Sequence, residues 1–115
     1  MNAGHQTSHS GLRESEAIIA KLVGCPPEWV TINRRIGSRI SWDVCPPHIA
    51  AGVRIEIDGP ANTAHALAAM VAKKCRDARV VLDKRGAFDG RRPEELLAWG
   101  WSGGEIDRAA AARIR

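Results

Sequence analysis

The side chains that could do chemistry are few. Cys25, Cys45, Cys75, His48 and His65 are the thiols and imidazoles available to a metal site or a nucleophile. Cys45-Pro46-Pro47-His48 has the two-residue gap that lets two ligands reach one zinc ion. A structural zinc site needs four ligands, usually as two such pairs, and one pair is present. Cys75 falls on the apolar stripe of a predicted helix, where a free thiol behaves as a small hydrophobe. His65 and Cys75 stand ten residues apart on that helix, too far along its axis to meet. Glu56 and Asp58 alternate onto the outward face of a predicted strand, the ordinary place for solvated carboxylates. No catalytic residues, no metal and no cofactor are therefore assigned, and a non-enzymatic role is expected.

Charge is the more informative signal. The chain has 17 Lys+Arg against 13 Asp+Glu over 115 residues, a formal net charge of +4. The excess sits in two segments. Arg34 to Arg54 holds four basic residues and one acidic, and Lys73 to Arg92 holds eight and three. Clustered Lys and Arg are what a phosphate backbone requires, because each contact releases counterions. Arg34, Arg35, Arg39, Lys84, Arg85, Arg91 and Arg92 are the expected nucleic-acid contacts. Phe88, the one phenylalanine, lies between Lys84-Arg85 and Arg91-Arg92, placed to stack on an unpaired base if exposed or to cap the core if not. Arginine outnumbers lysine 13 to 4, which also fits a GC-rich genome, such as a bacterial or phage one. Asp58 to Thr63 leads a strand into a helix start, where free N–H groups could hold an anion. Its spacing matches no phosphate-loop or dinucleotide fingerprint, and Asp58 would repel the ligand.

The elements that must position these residues follow from periodicity. Residues 1–10 are polar and small and are expected to form a flexible tail ahead of a single domain over 11–115. Leu12, Ile18, Ile19, Leu22 and Val23 recur at helical spacing, and Gly24 supplies a stop. Val30 and Ile32, then Ile40, Trp42 and Val44, alternate with polar residues as two half-buried strands, with Gly37 in the hairpin tip. Val53, Ile55 and Ile57 alternate in the same way as a third strand. A helix with the stripe Ala64, Leu67, Ala68, Val71 and Cys75 follows. Arg79 to Asp83, centred on Val80-Val81-Leu82, reads as a fourth, fully buried strand paired in parallel through a crossover. Pro93 opens a C-terminal helical hairpin over 93–115. Within it, Ser102-Gly103-Gly104-Glu105 has the form of a capping box, with Trp101 and Ile106 placed as a hydrophobic staple.

The expected class is α+β or α/β: one domain with a mixed four-stranded sheet, an N-terminal helix, one crossover helix and the C-terminal helical hairpin. A chain of this length supports one core and one principal surface. Residues 1–10 lack the basic and apolar regions of a secretory signal, no apolar run reaches membrane-spanning length, and the cysteines are few and odd in number. A cytoplasmic protein with reduced thiols is expected. The hairpin at 93–115 carries a slight acidic excess, which argues against groove reading by a helix-turn-helix. The leading expectation is a small basic binding or regulatory protein contacting nucleic acid or a nucleoprotein complex. The alternative is a protein-protein interaction adaptor or inhibitor, of the compact kind mobile elements encode, using Trp99 and Trp101 or the sheet edge. Oligomeric state is left open.

Overall fold

The computed structural model describes residues 3–36, 39–49, 51–58 and 64–114. Helix α1 (Ala3–Val23) leads through a single 3-10 turn (Pro27–Trp29) into β1 (Val30–Ile36). Strands β2 (Arg39–Val44) and β3 (Val53–Ile57) follow, then helices α2 (Ala64–Lys84), α3 (Pro93–Ala98) and α4 (Gly103–Ile114). The sheet is antiparallel throughout, in the order β1-β2-β3, so the class is α+β. Helix α1 packs on β1, α2 packs on β3, and the two helices pack on each other across one face of the sheet.

Alternation explains which sheet face is covered. Trp42 and Val44 on β2 and Ile55 and Ile57 on β3 are buried, while Arg39, Arg54 and Asp58 are exposed. From the helices, Ile19, Ala20 and Val23 meet Cys75, Ala78 and Leu82 in the same core. The spacing of those six residues is that of one helical stripe on each helix.

The fourth strand expected over Arg79–Asp83 does not form: these residues are the last turns of α2, and among the described residues the sheet has three strands and no parallel crossover. An apolar run of three cannot distinguish a buried strand from part of a helix. Here the stripe Cys75, Ala78, Leu82 continues at helical spacing with no Gly or Pro to interrupt it, and burying that stripe against α1 and the sheet decides the matter. Helix α1 begins at Ala3. Once a nucleus exists downstream, each further residue adds a hydrogen bond, and short polar side chains do not prevent propagation.

The C-terminal hairpin is held at two places. In the capping box, Ser102 Oγ accepts the Glu105 N–H at 3.1 Å and Glu105 Oε1 accepts the Ser102 N–H at 3.0 Å. Further in, Trp101 is buried and its indole Nε1–H donates to the Gly24 carbonyl at 2.8 Å. Gly24 ends α1 with φ +85°, and a Cβ there would lie within 2.8 Å of Trp101 and of the Arg79 guanidinium. Only glycine meets both the left-handed backbone and the close approach.

Candidate functional site

The register of the sheet sets the hairpin tip of the first basic segment apart from Arg85 of the second. Val30, Val44 and Val53 lie abreast at one end, and Ile36 pairs with Arg39 at the other. The seven residues of β1, at about 3.3 Å each, put roughly 20 Å between these ends. Arg34 and Arg35 pair through their backbones with Ser41 and Ile40 near the hairpin tip, and their side chains lie outside the described residues. Arg85, by contrast, donates from Nη1 to the carbonyls of Ala51 at 3.0 Å and Gly52 at 3.2 Å, at the start of β3. Arg85 and the hairpin tip thus lie at opposite ends of the sheet, while Arg54 of the first segment and Lys74 of the second border one groove.

Several expected contact residues are already engaged within the chain. Phe88 is 0% exposed, packed against Trp29 at 5.6 Å and Trp101 at 5.0 Å between ring centroids, so no base can stack on it. The segment around it forms a tight turn whose amides are internally bonded, and this turn tucks the ring inward. Arg91 lies over the rings of Trp29 at 5.8 Å and Trp99 at 5.5 Å, and pairs with Glu95 at 3.4 Å. Arg39 bridges Asp58 at 3.0 Å and Glu56 at 3.3 Å, and its hydrogen bond to Asp58, helped by both carboxylate charges, holds the guanidinium above its ordinary range. Lys84 and Arg92 are exposed. Of the two tryptophans expected at a protein interface, Trp101 is buried and Trp99 is half-buried in the aromatic cluster, so both serve the core. Their apolar bulk found one another, while the arginine beside them supplied the polar cover.

The thiols are similarly absorbed. Burial pushes the Cys25 thiol up to about 12, with Cys75 and Glu28 adding to it. Burial pushes Cys75 up to about 11, with Arg76 opposing. His48 donates from Nε2 to the Ala87 carbonyl at 3.0 Å, an acceptor that fixes the proton on that nitrogen. Among the described residues no three His, Cys, Asp or Glu side chains gather as metal ligands, and no helix is long and apolar enough to cross a membrane. The anion site considered at Asp58–Thr63 lies largely outside the described residues.

What remains is a contrast between the two sheet edges. On β1, the Ile32 N–H donates to Glu16 Oε2 of α1 at 2.7 Å, and the register shifts between Ile32 and Arg34. A bulge and a carboxylate on the donor row are ways of refusing an incoming strand. On β3, the outer edge pairs with no strand among the described residues, and Glu56, Arg54 and Val53 border a shallow groove with Lys74, Asp77 and Val81 of α2. Val80 is 52% and Val81 38% exposed, with Met70 and Leu67 also exposed on the same helix. Reading Val80-Val81 as buried strand hid this apolar surface. The signal that reveals it is the stripe Cys75, Ala78, Leu82, which leaves both valines off the core face.

No family model, no curated protein and no solved structure matches the chain.

Proposed function

We propose that this chain is a non-enzymatic interaction module that docks a protein along β3 and the groove between β3 and α2. The observation that carries this reading is the inequality of the edges: β1 is closed by Glu16 and a bulge, whereas β3 is bordered by exposed Val81. An open strand edge offers backbone hydrogen bonds, and the neighbouring side chains decide what can use them. Affinity capture from native lysate, with and without nuclease, tests it. The expected result is a protein retained after nuclease treatment and released by Val81→Asp, a substitution at an exposed position.

A second reading, nucleic-acid contact, is favoured by one observation. Lys74, Arg76 and Lys84 are exposed on α2, and Arg92 is exposed just beyond it. Material that disappears with nuclease and elutes at modest salt would replace the first reading with this one.

A further inference from the structure

Resting on β3 as the docking edge, we propose that its occupant is a second copy of the chain, paired antiparallel about a two-fold axis at Ile55. Two three-stranded sheets would then join into one of six strands. Residues directly opposite in an antiparallel pair share a face, so helices from both copies stay on one side only if charged positions oppose charged positions. Three such registers are available to β3. Centred on Arg54 or Glu56, the axis pairs only three residues of β3 and sets like charges against each other at its centre, arginine on arginine or glutamate on glutamate, with Arg54 facing Asp58 in the second case. Centred on Ile55, Arg54 of each copy faces Glu56 of the other, Val53 faces Ile57, and Ile55 meets its own equivalent.

The pairs within each chain extend this match. Arg54 bonds Asp43 at 2.9 Å, and Glu56 lies 3.3 Å from Arg39. Across the seam one row would run Asp43, Arg54, Glu56 of the second copy, Arg39 of the second copy, alternating in sign throughout. The groove side is balanced as well, with Lys74 and Asp77 of α2 bordering it beside exposed Val81. An interface that is the same patch on both subunits must complement itself, and β3 does.

Sedimentation velocity of the full chain over a concentration series, on wild type, Arg54→Glu, Glu56→Arg and an equimolar mixture of the two variants, tests the pairing. Wild type should dimerise. Each single variant places like charges opposite one another twice, and its dimerisation should weaken by about tenfold or more. The mixture should recover a dimer of the two unlike chains. One variant then presents two glutamates to the seam and the other two arginines, so both cross-strand pairs are of opposite sign. Circular dichroism checks that each variant is folded. As a second route, the Arg54→Cys, Glu56→Cys pair in a Cys45→Ser background should yield a disulfide-linked dimer with oxidised glutathione, while either single cysteine should not, since equivalent residues are only diagonal neighbours. A monomeric wild type overturns the proposal, as does a dimer unaffected by both variants or a mixture that fails to recover. If the chain is monomeric but Arg54→Glu still releases a nuclease-resistant protein, self-pairing falls and the docking edge stands. If neither occurs, both fall.

Discussion

At the end of the sheet where Val30, Val44 and Val53 lie abreast, arginine is built into the fold: Arg91 covers two indoles and Arg85 ties the turn after α2 to the backbone before β3. At the hairpin end, Arg39 lies on the open sheet face, 56% exposed at its side chain, against two exposed carboxylates. In composition the two segments look alike. The difference is that one adjoins four large rings that need cover, and the other adjoins only strands whose apolar residues are already turned to the helices. Local charge density is therefore a poor guide to a contact surface until the neighbouring apolar volume is known.

The sharpest test of this difference is Phe88→Ala. Removing a fully buried ring from the aromatic end should lower stability by about 3–5 kcal/mol, read as a large fall in the midpoint of urea unfolding. A small effect would mean that the aromatic end is not the core of the domain. Next in size is an alkaline limit. Cys25 and Cys75 are held protonated in the fold, so their contribution is complete below the ordinary thiol value of 9.0 and is lost as pH rises through about 11 and 12. Stability measured by denaturant titration should fall over that interval, and Cys25→Ser should remove part of the fall. Arg85→Ala, which frees two carbonyls at the aromatic end, should cost about 1 kcal/mol. Arg39→Ala at the hairpin end should leave the unfolding midpoint close to that of wild type, because exposed ion pairs contribute little. If the last two effects were equal, the contrast between the ends would be lost.

Much of the frame was legible without coordinates. The end of α1 at Gly24, the hairpin, the third strand and the Ser102–Glu105 capping box each follow from local signals: a glycine, strict alternation, a reciprocal pair three residues apart. Val80-Val81-Leu82 carried no such signal. Three apolar residues fit either period, and what settles them is packing against α1, which is not a local property. Phe88 misled for the same reason. Its flanks are basic, so it reads as a surface ring, yet it packs on Trp29, far away along the chain, and on Trp101 beyond the next helix. A sheet edge is among the expected sites, but the expected fourth strand conceals which one, and the contrast between β3 and β1 depends on Glu16, a helix residue that nothing in the sequence pattern connects to Ile32.

The bond from the Trp101 indole to the Gly24 carbonyl joins residues 77 positions apart. A contact of that separation carries a loop-closure cost until the intervening chain is ordered, which predicts that it forms late in folding. Helix α1 and the three strands can assemble first, leaving the space beside Gly24 open. Closure then arrives with α3 and α4, which follow them in the order of synthesis. On that order Trp101 should leave water late, and the share of the refolding fluorescence change that Trp101→Phe removes should lag behind the far-ultraviolet signal of the helices.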